Sequence, residues 1–154
     1  MKGEIGYRVD DGVAWITLND PTSRNGLSLP MFDALMAALE RAQADARAVV
    51  LTGAGRGFCS GMNLAAIPTD PAAADYDAGA LLETHLNPLI RCMRDSRLPI
   101  IGAVRGAAAG AGSSIALACD LIVASDNAYF LQAFRHVGLV PDGGAAFFIS
   151  RAAG

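Results

Sequence analysis

The chain has 154 residues, a net charge of −3, 53% hydrophobic residues and only 18% charged ones. That length fits one domain with a real core, and the acidic balance without basic clusters excludes the electrostatic footprint of a nucleic-acid binder. Three cysteines without CxxC pairing and two distant histidines predict neither a zinc site nor a disulfide framework, so a reduced, cytoplasmic setting is the expectation.

From the N-terminus, a polar opening lacks the apolar core of a signal peptide, and no apolar run approaches the ~18 residues of a membrane span. No membrane partner is expected. Ile5, Tyr7 and Val9 alternate with polar neighbours, Asp11-Gly12 follows, and Val13, Trp15 and Leu18 continue, which predicts a β-hairpin. Asn19 to Gly26 is a dense run of turn formers. Ser28 and Pro30 mark a helix start, and Met31, Phe32, Leu35, Met36 and Leu39 share a face of a helix over Leu29 to about Ala44.

Arg47 to Thr52 reads as a short buried strand, followed by GAGRGFCSGMNL, a glycine-rich loop in which Asn63 can cap a following helix. Pro68 to Asp77 lacks apolar periodicity and is expected to be a mobile surface loop. Leu82, Leu86, Leu89, Ile90 and Met93 predict a long helix, bent at Pro88, whose missing N–H interrupts the ladder.

The chain then turns on IIGAVRGAAAGAGSSIALACD, Ile100 to Asp120. An apolar strand stops at Gly106, and the seven residues 106–112 are no larger than alanine before a helix-like pattern resumes. Strand, tight turn, helix is the prediction. Small residues let backbone N–H groups approach a ligand, and a helix N-terminus adds a positive dipole end, although close packing alone also explains such a turn. A dinucleotide fingerprint fails because Ile115 stands where the third glycine belongs, and a P-loop fails because no lysine follows Lys2. Strand Leu121–Ala124, a segment Ala128 to Val137, a turn over Gly138 to Gly144 and a helix from about Ala145 complete the chain. Apolar strands alternating with helices indicate an α/β fold with a largely parallel, covered sheet. Two glycine-rich turns on neighbouring strands can each aim one N–H at a shared point.

Four ordered blocks carry a resemblance: LNDPTSRNGLS, VVLTGAGRGFCSGMNL, IIGAVRGAAAGAGSSIALACDLIVAS and GLVPDGG. In order and spacing the chain resembles the enoyl-CoA hydratase/isomerase (crotonase) family over essentially its whole length. The resemblance implies stacked ββα units over residues 1–154, without the helical C-terminal part that in the family covers the site and builds trimers or hexamers. It also implies an acyl-CoA thioester substrate, with coenzyme A as part of the substrate and no separate cofactor. The thioester oxygen would be held by the N–H groups of Met62 and Ala111, each typically worth ~3 kcal/mol to a transition state. Arg24 and Gly26 match positions at the adenine end of coenzyme A. Ser60 and Gly61, with Asn63 and Leu64 after Met62, and Gly110 before Ala111, line the substrate path. Arg24 is equally readable as a solvated loop charge.

The departures from the family matter more. Where its hydratases carry two glutamates, this chain has Ser114 and Phe134, so two-carboxylate hydration cannot run in the same way. Phe134 and Pro141 are expected at the acyl pocket. Asn63 replaces a usual aspartate, and both residues cap helices. Asp142 matches the position of an acid/base aspartate in related isomerases and of the nucleophile in the dehalogenase branch. Its bland alternative is a helix N-cap. His85 is out of register with the dehalogenases' histidine, His136 reads as a packing or surface residue, and Asp75, Asp77 and Glu83 read as solvated. The expectation is an isomerase using Asp142. The alternatives are a hydratase with displaced acid/base groups and a non-catalytic acyl-CoA-binding or assembly subunit. The apolar excess predicts a homo-oligomer or a covering partner.

Overall fold

The computed structural model describes residues 4–63, 65 and 77–154. The alternating N-terminal segment forms strands β1 (Glu4–Asp10) and β2 (Val13–Asn19), paired antiparallel. Asp11 and Gly12, at φ 46° and 73°, make the turn whose twist suits a two-residue hairpin. After a 3₁₀ turn at Pro21–Ser23, helix α1 spans Leu29–Asp45. Ser28 is its N-cap by backbone geometry but makes no side-chain cap bond. Met31, Phe32, Leu35, Ala38, Leu39 and Ala42 are buried at the three-and-four spacing of one helical face.

Strand β3 (Ala48–Gly53) lies parallel to β2, and β4 (Ile100–Val104) lies parallel to β3. Between them come α2 (Ala78–Leu81), a π turn at Leu82–Leu86 and α3 (Asn87–Arg94). The predicted interruption at Pro88 thus takes the form of a widened turn, in which the N–H of Asn87 reaches back five residues to the carbonyl of Leu82. A proline ring next in line crowds the preceding turn, and widening it relieves that crowding. The predicted loop at Pro68 to Asp77 lies, but for Asp77, outside the described residues, as do Asp75 and Leu64. Asp77 itself precedes α2 and caps it, its Oδ1 accepting from the N–H groups of Gly79 and Ala80 at 2.8 and 3.1 Å.

The small-residue stretch is not a simple turn. It contains a strand of its own, β5 (Ala107–Ala109), before α4 (Ala111–Ala118), and β5 pairs parallel with β7 (Tyr129–Leu131) in a second, two-stranded sheet. Strand β6 (Leu121–Ala124) closes the main sheet, of order β1-β2-β3-β4-β6, parallel except for the hairpin. A 3₁₀ turn at Ala133–Val137 and helix α5 (Ala145–Ala153), packed on α4, complete the fold. One contiguous core joins α1, α3, α4 and the sheet through residues such as Phe32, Leu51, Leu89, Phe58 and Ile115. Strand β3 alternates buried and half-buried residues, as expected of a sheet with one face against the core.

Candidate functional site

Asn25 builds the first wall of the site. It is fully buried with φ 59°, a left-handed conformation that asparagine tolerates better than most residues. Its Nδ2 lies 2.9, 3.0 and 3.1 Å from the carbonyl oxygens of Ala54, Gly57 and Phe58, its two N–H groups shared among them. Its Oδ1 accepts from the N–H of Asp20 at 2.9 Å, and its own carbonyl accepts from the Cys59 thiol at 3.1 Å. One side chain therefore clamps the turn after β2 onto the loop after β3. Asp20 ties up the same turn, and hydrogen bonds from Thr22 and Ser23 hold its carboxyl below the usual carboxylate range.

From this clamp the loop runs out as a ladder. The N–H of Leu27 donates to the Gly61 carbonyl at 2.7 Å, and that of Asn63 donates to the Leu27 carbonyl at 3.0 Å. Met62 is bridged between these two bonds, so its own N–H faces away from Leu27. On the other side, Cys59 is bridged to Ala108, and the N–H of Ala109 donates to the Cys59 carbonyl at 2.9 Å. The two glycine-rich turns are thus stitched together. A Cβ on Gly61 would sit 2.7 Å from the Ala109 oxygen and 3.4 Å from the Ala111 nitrogen, and one on Gly112 would sit 2.6 Å from the Cys59 oxygen. Only glycine permits that approach.

Met62 follows Gly61 at φ 93°, and Ala111 follows Gly110 at φ 50°. As the first residue of α4, Ala111 has an N–H with no acceptor inside the helix. Ser60, Met62 and Asn63 share an open cleft of about 460 Å³ with Asp20, Thr22, Ser23 and Ala65. The Ser60 hydroxyl donates to the Ser23 carbonyl at 2.8 Å, and buried Gly26 donates its N–H to Ser23 Oγ at 2.9 Å. Arg24 lies beside them, left-handed at φ 57° and exposed; its carbonyl accepts from the N–H of Ser60 at 3.0 Å.

Asp142 stands apart from that cleft, against the first turn of α4. The Ser114 hydroxyl, fully buried, donates to the Asp142 carbonyl at 3.0 Å, and a Cβ on Gly143 would sit 2.9 Å from Ser114 Cβ. The turn carrying Asp142 therefore rests directly on Ser114. The N-cap alternative for Asp142 does not hold: Gly144 is the cap of α5, and no side chain caps that helix. Only the Asp142 backbone carbonyl serves there, accepting from the N–H of Ala145 at 2.9 Å. Asp142 Oδ1 is buried with no hydrogen-bond partner among the described residues, and burial pushes the carboxyl up to about 6.

Phe134 is buried in the 3₁₀ turn before this segment, and Pro141 is exposed. His136 is exposed; His85 faces the Phe32 ring at 6.0 Å, with its Nδ1 2.7 Å from the Thr84 hydroxyl. Cys59 and Cys119 are buried free thiols, each pushed up to about 12 by burial. Among the described residues no cluster of His, Cys, Asp or Glu could hold a metal ion, and no helix is long and apolar enough to cross a membrane. Sequence reasoning missed Asn25, hidden among turn formers with Asn-Gly as its only signal, and Gln132, which carried no local signal: its Nε2 donates to Ser113 Oγ at 2.8 Å, and its Oε1 is buried with no partner among the described residues.

A family model described as enoyl-CoA hydratase/isomerase matches residues 8–154. A "probable enoyl-CoA hydratase" of Rhodobacter capsulatus is 43% identical over 97% of this chain and 57% of its own length. The 1,2-epoxyphenylacetyl-CoA isomerase of Escherichia coli is 40% identical over 95% of this chain and 56% of its own length. Among solved structures, an enoyl-CoA hydratase from Polaromonas sp. JS666 superposes with a TM-score of 0.85 at 37% identity, covering 99% of this chain and 60% of that one. The chain thus spans little more than half the length of the curated relatives it matches.

Proposed function

This chain belongs to the enoyl-CoA hydratase/isomerase family, and from that premise we propose that its site binds an acyl-CoA thioester and moves a carbon–carbon double bond along the acyl chain, with Asp142 as the acid/base. The Asp142 carboxylate takes a proton from the carbon between the carbonyl and the double bond of a 3-enoyl thioester. The electron pair left behind delocalises onto the thioester oxygen, which the N–H groups of Met62 and Ala111 receive. The carboxylic acid then returns its proton to the far carbon of the dienolate, leaving a 2-enoyl thioester and a regenerated carboxylate.

The observation that carries this reading is Asp142 Oδ1, buried and unpartnered beside the first turn of α4. A group that changes protonation near 6 both takes and returns protons near neutrality. The stitching of Gly61 to Ala109 and Ala111 supports the paired N–H groups, which need no side-chain chemistry at Met62 or Ala111. Against hydration, Ser114 does not titrate near neutrality, is fully buried and carries the Asp142 turn, and Phe134 holds no exchangeable side-chain proton.

The test is proton exchange at the acyl α- and γ-carbons of a 3-enoyl-CoA in deuterated water, followed by NMR. We expect exchange in the wild type and a loss of about 10²–10⁴-fold in Asp142→Asn, with acyl-CoA affinity changed by less than about twofold. Undiminished exchange in the variant would overturn the assignment. Binding without exchange in either protein would leave an acyl-CoA-binding subunit, and loss of the enoyl-thioester absorbance of crotonyl-CoA would identify a hydratase.

A further inference from the structure

Cys59 lies at the seam between the two glycine-rich turns, and the reaction above gives it no part. Its backbone forms the seam: its N–H donates to the Ala107 carbonyl at 3.0 Å, and its carbonyl accepts from the N–H of Ala109 at 2.9 Å. Its side chain is fully buried and meets both turns at once. The thiol donates to the Asn25 carbonyl at 3.1 Å, and the sulfur accepts from the N–H of Gly61 at 3.5 Å. The same side chain lies against Gly112, where a Cβ would come within 2.7 Å of both Cβ and Sγ of Cys59. Gly61 directly precedes Met62, and Gly112 directly follows Ala111. One sulfur atom therefore stands between the chain neighbours of the two N–H donors.

The direction of the Met62 N–H is that of the planar peptide unit joining it to Gly61. Leu27 holds the oxygen of that unit, and Cys59 Sγ holds the N–H of the unit before it. Between the two sits Gly61 at φ 93°, a residue with no Cβ to restrict its torsions, so these flanking bonds fix them. Resting on the acyl-CoA reading above, we propose that Cys59 is a positioning residue of this site: its thiol holds the Gly61–Met62 peptide at a set distance from the first turn of α4, and so fixes the spacing at which the Met62 and Ala111 N–H groups converge on one thioester oxygen. Burial pushes the thiol up to about 12, so it keeps its proton, and with it the bond to Asn25, throughout the neutral range. The sulfur has no surface with which to touch a ligand and acts only through the backbone donors. Such donors are effective when they are already aimed at the oxygen before it arrives. Removing the sulfur strands the Gly61 N–H and opens a gap beside Gly112, into which either turn can shift.

The test reads the thioester carbonyl itself. Butyryl-CoA, isotopically labelled at its carbonyl carbon, is titrated into the full chain and followed by NMR, because hydrogen bonds from paired N–H groups draw electron density onto the oxygen and displace the carbon signal downfield. The wild type is expected to show that displacement relative to the free ligand. Cys59→Ala is expected to lose most of it at saturating ligand, with butyryl-CoA affinity lowered by about threefold to tenfold. Cys59→Ser supplies a hydroxyl able to make both bonds and is expected to retain the displacement. Cys119→Ala removes a second buried thiol, at the far end of α4, and is expected to lower the melting temperature while leaving the carbonyl signal in place. A merely structural role for Cys59 would give Cys59→Ala that same behaviour and would overturn the proposal, as would loss of the displacement in Cys59→Ser. In either case the acyl-CoA site stands. No displacement in the wild type, with butyryl-CoA bound, would overturn the pairing of the Met62 and Ala111 donors and the role of Cys59 together. Failure of butyryl-CoA to bind the folded wild type would overturn the acyl-CoA reading itself.

Discussion

A carboxyl group pushed up to about 6 by burial carries its proton further up the pH scale in the folded protein than in the unfolded chain, where an aspartate titrates near 3.8. Between those values the folded state binds more protons, so this group makes stability fall as pH rises and leaves a constant penalty above about 6. Asp142→Asn removes the ionisation without changing the shape. Melting temperatures of the two proteins are therefore expected to coincide below about pH 3, where the carboxyl is protonated in both states. The variant is expected to be the more stable above pH 6. A constant gap across that range would show that Asp142 is not the buried titrating group. Selection for stability alone would favour the asparagine. Retaining a carboxylate in this position fits a group kept for proton transfer, the trade expected at a working site.

At the scale of elements, the site depends on how closely the turn after β3 approaches the strand β5 and the start of α4. Gly61→Ala places a methyl group 2.7 Å from the Ala109 oxygen at a φ of 93°, so the backbone between Met62 and Ala111 must part. Gly138→Ala, at φ 72° with nothing within 4 Å, meets only backbone strain of about 1–3 kcal/mol. We expect both to lower the unfolding midpoint in urea, but only Gly61→Ala to cost acyl-CoA affinity, by about tenfold or more. Equal affinities would mean that the Met62 N–H plays no part in binding. How far these elements are legible in the sequence follows from the range of their determinants. The hairpin, α1, β3, β4 and α5 were readable because alternation, helical spacing and the Asp11-Gly12 turn act within a few residues. Strand β5 was not, because Ala107, Ala108 and Ala109 have no strand-like side chains and become a strand only through β7 and Cys59. Asn25 was opaque for the same reason: the three carbonyls it holds lie 29 to 33 residues away. The positions of Met62, Ala111 and Asp142 entered through the family resemblance, whereas the unpartnered oxygen of Gln132 is visible only once β7 is docked.

Among the described residues, most of the large exposed apolar side chains fall on one stretch of chain, residues 121–140. Every residue of β6 and β7 is exposed, with Leu121 at 64%, Val123 at 66% and Tyr129 at 55%, and Val140 beyond them reaches 80%. Strand β6 is the edge of the five-stranded sheet, and β7 pairs on one side only, with β5. Edge strands with exposed apolar side chains and free backbone groups are templates for pairing with another chain. The composition anticipated such a demand for cover, and this chain spans only 57% and 56% of the length of two curated relatives it matches. A solution of this 154-residue chain has only further copies with which to meet that demand. We therefore expect concentration-dependent self-association in sedimentation experiments, reversed towards the monomer by Leu121→Lys combined with Val123→Lys. Those lysines replace exposed side chains, so the core and the melting temperature should change little. Sedimentation as a monomer at all concentrations would show that the face is tolerated in water. Association that survives both lysines would move the interface elsewhere on the molecule.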